Sequence, residues 1–290
     1  MELLNKLTIK ERQWIELGEQ EHELFQSDVI EAMTNNRFND HFIFQSLPGT
    51  GKTETAKRVA AANGIKMLKF EGSQGLFAFC ADVAYALLHA PDDGSMIYAL
   101  FDDCDTLFKN GDELNTIKGL FDHGRKALSY RKQLGGQYYM LGEAQREAID
   151  AFREEGRSGF SIPVDRFVFI TLTNKNFPSQ DEVENASESK RDYYAGLAAI
   201  RRRVQYKKMD LESGIDWGYC AHILMNSDLV EKFHPDITQE QKLEIMRFTS
   251  PLNHWHKLIE RNLSIFEKMA KDIVRFPDHY YDRWMSQYIA

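Results

Sequence analysis

Phe42-Ile43-Phe44-Gln45-Ser46-Leu47-Pro48-Gly49-Thr50-Gly51-Lys52-Thr53-Glu54-Thr55-Ala56 joins an apolar run to a helix through a glycine turn. The first three residues are short and unbroken enough for a buried strand, and the residues from about Gly51 to Asn63 read as a helix that Gly64 stops. Gly49 and Gly51 allow the backbone to turn sharply and to come close to a ligand. A helix N-terminus and several loop N–H groups then converge on one point, which suits an anion. In that geometry Lys52 reaches the outer phosphates of a nucleoside triphosphate and the Thr53 hydroxyl holds Mg2+. Pro48, Gly49, Thr50, Gly51, Lys52, Thr53 and Glu54 are therefore the expected Mg·ATP-binding residues. The full pattern GxxxxGK[ST] asks for glycine at position 46, where this chain has Ser46, which serves if its φ stays negative.

Outward from this loop, short apolar runs alternate with helical patterns. Strands are expected over 66–70, 96–101 and 167–172, and a helix over 79–89. Continuously apolar strands between helices argue for a parallel sheet covered on both faces, hence an α/β fold. Residues 1–40 carry apolar positions at helical intervals up to Asn35-Asn36. The segment 105–165 is too long for a plain connection and is expected to hold a helix plus an inserted hairpin or loop. After about residue 205 strand signals end, and helices are expected over 216–225, 239–248, 254–274 and 280–289, with Thr238 and Gln241 as a capping box for the second. The organisation read from this is an N-terminal helical segment (1–40), a nucleotide-binding core (41–205) with its insertion, and a helical domain (206–290).

The 290 residues carry a formal net charge of −8, which favours solubility and excludes a protein coated all over in nucleic acid, though not a local basic groove. Cys80, Cys104 and Cys220 form no CxxC pair and read as small buried hydrophobes in a reducing compartment. With no secretory leader and no long apolar stretch, the expected location is the cytoplasm, or a host's cytoplasm if the chain is phage-encoded, without membrane contact.

Three further features sit where chemistry would need them. Asp102-Asp103 ends the apolar run Tyr98-Ala99-Leu100-Phe101, at the strand end where open α/β sheets gather ligands. Asp102 can hold Mg2+ there, and its neighbour can position or activate the attacking water. Asn174 closes the next strand and either orients water and the γ-phosphate or caps the turn before Phe177-Pro178. Arg201-Arg202-Arg203 follows an apolar helix face and is either a solvated charge run or a source of an arginine that reaches a neighbour's γ-phosphate.

The order phosphate loop, Ala99-Leu100-Phe101-Asp102-Asp103-Cys104-Asp105, Ile170-Thr171-Leu172-Thr173-Asn174 and Ala198-Ala199-Ile200-Arg201-Arg202-Arg203-Val204, followed by a helical domain, resembles the AAA+ ATPase family over roughly residues 25–275. The resemblance implies a P-loop AAA+ core with a C-terminal all-helical lid. It makes Lys52 and Thr53 the Walker A residues, Asp102 the Walker B metal residue and Asn174 sensor 1. It makes Arg203, which precedes the apolar Val204, the first choice for an arginine finger, with Arg201 and Arg202 in reserve. It also implies a homo-oligomeric ring or spiral, hexameric by preference, with ATP and Mg2+ at subunit interfaces. Two departures stand out. Asp103 replaces the usual glutamate and sets its carboxylate back by about 1.5 Å, so slow or partner-dependent hydrolysis is expected. Ser264 occupies the sensor 2 arginine position, leaving Arg261 as a substitute or as a plain surface arginine.

The resemblance implies an ATP-driven motor or loader acting on DNA or DNA–protein complexes, in replication, recombination or packaging, with two alternatives: a chaperone that remodels a protein partner, and a scaffold that binds ATP to assemble but hardly hydrolyses it. Leu76 and Phe77 after the second strand either line a pore or pack in the core. Arg125, Lys126, Ser129, Tyr130, Arg131 and Lys132, with Tyr138-Tyr139 beyond, are either a nucleic-acid contact or a solvated face.

Overall fold

The computed structural model describes residues 4–34, 41–72, 75–109, 111–122, 127–153, 159–209, 211–212, 214–228 and 230–290. It opens with α1 (Ile9–Thr34), β1 (Phe42–Gln45), α2 (Lys52–Ala62), β2 (Met67–Glu71), α3 (Leu76–Leu88) and β3 (Ile97–Asp102). There follow α4 (Asp112–Leu120), β4 (Ala127–Tyr130), α5 (Gly136–Tyr139), α6 (Glu143–Ala151), β5 (Phe160–Pro163) and β6 (Phe167–Thr173). The chain ends with α7 (Gln180–Glu184), α8 (Glu188–Arg201), β7 (Gln205–Lys208), α9 (Ile215–Asn226), α10 (Gln239–Thr249), α11 (Leu263–Arg275) and α12 (Tyr280–Gln287). Two compact units result: residues 29–45 with 56–208, and residues 1–28 with 46–55 and 209–290.

The first unit is α/β. Its five strands run parallel in the order β2-β3-β6-β1-β7. All seven residues of β6 are buried, which explains why that strand reads as an unbroken apolar run rather than an alternating one. Ile43, Phe101, Phe167 and Phe169 share one core with Val83 of α3 and Leu197 of α8. The alternate residues Phe44, Leu100, Ile170 and Leu172 are equally buried and face the other way. Only the β1-to-β2 crossover runs against the direction of the rest, so right-handed connections place α2 on the face opposite α3 and α8.

Within 105–165, β4 and β5 pair antiparallel, with Leu128 opposite Ile162 and Tyr130 opposite Phe160, and α5 and α6 lie between them. Leu76 and Phe77 are buried in the first turn of α3, where the Phe77 ring meets Tyr130 at 5.1 Å, so the core alternative holds for both. The sheet gains one strand that the sequence does not announce. Gln205–Lys208 forms β7 at an edge, and a strand paired on one side only can stay polar, with lysines that discourage further pairing.

The second unit is helical. Trp217, Tyr219, Leu243, Met246, Trp255, Phe266 and Trp284 form its core with Ile15 of α1. Two glycines let α1 and α9 touch backbone to backbone: a Cβ on Gly18 would lie 2.2 Å from the Tyr219 nitrogen, and one on Gly218 1.9 Å from the Trp14 oxygen. Thr238 and Gln241 form the expected capping box at the start of α10, with N–H to side-chain bonds of 3.1 and 2.9 Å. The single helix expected over 254–274 is instead a short 3-10 turn at Trp255–Lys257, an extended Leu258 and then α11. Asn262 explains the break: its Oδ1 accepts from the N–H and the hydroxyl of Ser264 at 3.0 and 2.7 Å, and that local bonding favours a new helix start over continuation. All three cysteines are buried, and burial pushes the Cys104 thiol up to about 11. Among the described residues no helix is long and apolar enough to cross a membrane.

Candidate functional site

The glycine loop takes the backbone that its sequence demands. Gly49 and Gly51 have φ of 69° and 78°, values that side chains other than glycine adopt only with strain. Ser46 has no such conformation, since Asp103 is the one non-glycine residue with positive φ among those described. Serine therefore fits where the pattern asks for glycine. It also acquires a part: its hydroxyl lies 2.6 Å from that of Thr50 and accepts from the Lys52 ammonium at 3.0 Å. Lys52 is buried at the first position of α2 and donates further to the carbonyl oxygens of Leu47 and Ser46 at 3.1 and 3.4 Å. A buried ammonium surrounded by loop oxygens is a cation positioned inside the turn, able to exchange those oxygens for phosphate oxygens.

The helical unit supplies the wall of this loop. The Leu263 N–H donates to the Gly49 carbonyl at 2.9 Å. A Cβ on Gly49 would stand 2.8 Å from Cβ and Cγ of Asn262, and one on Gly51 would stand 3.2 Å from Leu263 Cδ1. The start of α11 thus packs on both glycines. Glu54, one residue after Thr53, pairs with Lys232 at 2.8 Å. Arg261 is exposed and precedes the cap of α11 rather than lying on the helix; Asn262 is the residue that meets the loop. Sequence reasoning passed over Asn262, although an Asn before Leu-Ser is a recognisable N-cap signal.

In the α/β unit, the carboxyl ends of four neighbouring strands carry Glu71, Asp102, Thr173 and Gln45, with Glu71 beside Asp102 and Thr173 beside Gln45 in register. Asp102 is nearly buried and lies 3.6 Å from the Lys69 ammonium. Desolvation, and then the nearby Lys57, hold that ammonium below its ordinary pKa. Asp103 sits at φ 53°, in the left-handed region that aspartate tolerates better than most residues. Its N–H donates to the Leu172 carbonyl at 3.2 Å, and its carboxylate accepts from Asn174 Nδ2 at 3.1 Å. The strand ends of β3 and β6 are thereby joined through the two residues picked for water and phosphate. A third acid, Asp105, accepts from the Thr173 hydroxyl. Among the described residues no group of three or more His, Cys, Asp or Glu side chains is placed to hold a metal by itself.

The three arginines have different surroundings. Arg201 donates to the Phe177 carbonyl at 2.9 Å and lies 4.4 Å above the Tyr206 ring. Arg203 donates to the Lys118 carbonyl at 3.0 Å and pairs with Asp122 at 3.3 Å. Arg202, the C-cap of α8, donates its backbone N–H to the Ala198 carbonyl at 3.1 Å, but its exposed side chain makes no hydrogen bond or ion pair among the described residues. Arg125 and Lys126 lie outside the described residues; Arg131 and Lys132 lie just after β4 and are exposed. No protein-family model matches the chain, and no curated protein sequence does.

Proposed function

We propose that this chain is a Mg2+-dependent ATPase of the AAA+ type, a homo-oligomer that acts on DNA or on DNA–protein complexes. The observation that carries the proposal is the loop from Ser46 to Thr53: two positive-φ glycines, a buried Lys52 ammonium at a helix start, and Asn262 and Leu263 of the helical unit packed on it. Its donors are cationic and N–H groups without a carboxylate of the loop's own, a set that fits a polyphosphate. In this reading Lys52 and the loop N–H groups hold the phosphates. Thr53 and Asp102 hold Mg2+, which neutralises phosphate charge. Asp103 and Asn174 serve the attacking water. An arginine of a neighbouring copy meets the γ-phosphate, and the surroundings of the three candidates favour Arg202 over Arg203 for that part.

A second reading draws on Asp103. Its short carboxylate is held by Asn174, and its backbone is in a strained region, so a chain that binds ATP to assemble but hydrolyses it slowly is a coherent alternative. Titration of the purified chain with a fluorescent ATP analogue tests the shared premise. Binding should require Mg2+ for full affinity and vanish in Lys52→Ala; equal binding by that variant overturns both readings. Phosphate release measured alone, with single- and double-stranded DNA, and with unfolded protein then separates them. DNA-stimulated turnover supports the first reading, protein-stimulated turnover a protein remodeller, and ATP-dependent oligomerisation without turnover the second.

A further inference from the structure

Beside α3, and away from the glycine loop in sequence, two open clefts of about 580 and 500 Å3 share Leu76, Tyr130 and Lys132 in their walls. The larger also takes Asn115, Thr116, Ser129 and Arg131. The smaller takes Gln137 and Met140. Packing fixes the Tyr130 ring from behind, parallel to Phe160 at 5.3 Å and edge-on to Phe77 at 5.1 Å. Its half-buried remainder contributes to both clefts. Met140, in the wall of the smaller cleft, is 87% exposed, and Tyr139, its neighbour in the chain, is 74% exposed, although both are large and largely apolar.

The charge of this lining runs against that of the chain. Arg131 and Lys132 face one acid, Glu113, in a protein with a net charge of −8. A lining of two cations, hydroxyl and amide donors, and aromatic surface matches an alternation of phosphate, sugar and base. Duplex DNA keeps its bases stacked and paired, so the aromatic part would have nothing to meet; a single strand offers both faces of each base. An unfolded polypeptide lacks the regular negative charge that two adjacent cations would match.

We propose that the joined clefts bind single-stranded nucleic acid, with Arg131 and Lys132 on consecutive phosphates, Ser129, Asn115 and Thr116 donating to the sugar–phosphate chain, and Tyr130 and Tyr139 offering surface to bases. The proposal deepens the DNA-directed reading above and rests on it for biological sense, but binding at this cleft is measurable by itself.

The experiment is fluorescence anisotropy of a labelled oligothymidine strand with the full chain, in a slowly hydrolysed ATP analogue, across a salt series. Wild type should bind the strand. Arg131→Ala/Lys132→Ala should bind at least tenfold more weakly, with the salt dependence reduced by about 1.4 in slope, since each phosphate contact on a single strand contributes about 0.7. The control pair Lys190→Ala/Arg191→Ala, exposed on α8, should bind like wild type. Binding of the ATP analogue should be unchanged in both pairs, which separates this proposal from the nucleotide site. Equal oligonucleotide binding by the Arg131/Lys132 pair overturns the proposal. So does a wild type that binds ATP and an unfolded polypeptide but no strand, and in that case the ATP-binding reading survives.

Discussion

The Leu263 N–H is hydrogen-bonded to the Gly49 carbonyl at 2.9 Å, which ties the first residue of α11 to the turn of the glycine loop. This bond makes the loop and the helical unit one packing problem, and Gly49 is its tightest point. Alanine there meets two penalties: φ of 69°, and a Cβ placed 2.8 Å from Asn262. Gly64 offers a control, with φ of 66° and nothing within 4 Å of an added Cβ. Gly64→Ala should lose about 1–2 kcal/mol from backbone strain alone. Gly49→Ala should lose about 1 kcal/mol more, and ATP affinity with it. Urea unfolding of the two variants measures the difference; equal losses would show that Asn262 does not confine the loop.

Ser46 competes with phosphate for Lys52. Its hydroxyl accepts from the ammonium at 3.0 Å, so bringing Lys52 onto a γ-phosphate means breaking that bond. Ser46→Ala should lower the stability of the ligand-free protein by about 1 kcal/mol, the typical net contribution of an intramolecular hydrogen bond. Because the ligand-free state alone is weakened, ATP should bind roughly fivefold more tightly, the equivalent of that energy. Calorimetric titration with Mg·ATP reads the sign directly. Weaker binding in Ser46→Ala would mean that the serine hydroxyl contacts the nucleotide instead.

The parallel sheet was legible because its inner strands are apolar throughout: Phe42–Gln45, Ile97–Asp102 and Phe167–Thr173 carry few polar residues to blur the pattern. The loop was legible because glycine spacing and Lys52-Thr53 encode a backbone conformation and not merely a composition. β7 was hidden because Gln205–Lys208 has solvent on one side and needs no apolar alternation. The break before α11 was hidden because Trp255, Ile259, Leu263 and Phe266 keep helical spacing in the sequence while Asn262 restarts the helix. Asp103's positive φ left no trace either, since nothing in an Asp-Asp pair says which member turns left-handed. Contacts between residues distant in the chain, such as Asn262 with Gly49 or Arg203 with Asp122, lie beyond any local pattern.

His222 gives the helical unit a pH dependence. Burial lowers its pKa from the usual 6.5, against the opposing pull of Glu19, 3.9 Å away, and of Glu23. The unfolded chain therefore takes up the proton first as pH falls. Stability is complete above the unfolded pKa and declines as pH drops from there toward the lowered folded value. His222→Gln should flatten that decline, and the difference between the two unfolding profiles from about pH 7 downward isolates this residue from other histidines. A difference that grows as pH rises would contradict the assignment.

Asp103 and Asn174 form a pair whose members can be tested apart. Asn tolerates the left-handed region as well as Asp does, so Asp103→Asn should fold with wild-type stability and still bind ATP. Its hydrolysis should fall at least 10²-fold if the carboxylate activates water, the scale of general-base contributions. Asn174→Ala frees the Asp103 carboxylate from its 3.1 Å bond and should reduce turnover while leaving ATP affinity within a few-fold. Single-turnover phosphate release reports both. Unchanged rates in Asp103→Asn would remove Asp103 from the water-activating role.

The arginine run separates structure from catalysis by residue. Arg203 bridges the Lys118 carbonyl and Asp122 at 3.0 and 3.3 Å, joining the end of α8 to the end of α4. Arg203→Ala should therefore destabilise the α/β unit by about 1–2 kcal/mol, with activity following the folded fraction. Arg202 makes no such bond among the described residues, so Arg202→Ala should leave the unfolding midpoint unchanged. If Arg202 serves a neighbouring copy, the same variant should lose at least 10²-fold in hydrolysis while keeping ATP affinity, since an arginine at the γ-phosphate is worth about 10³ to 10⁵. Mixing decides whether it acts in trans. Lys52→Ala subunits bind no nucleotide but retain Arg202, and Arg202→Ala subunits bind nucleotide but lack the arginine, so a mixed oligomer should recover activity that neither parent has. Recovery in a mixture with Arg203→Ala instead would return the finger to Arg203.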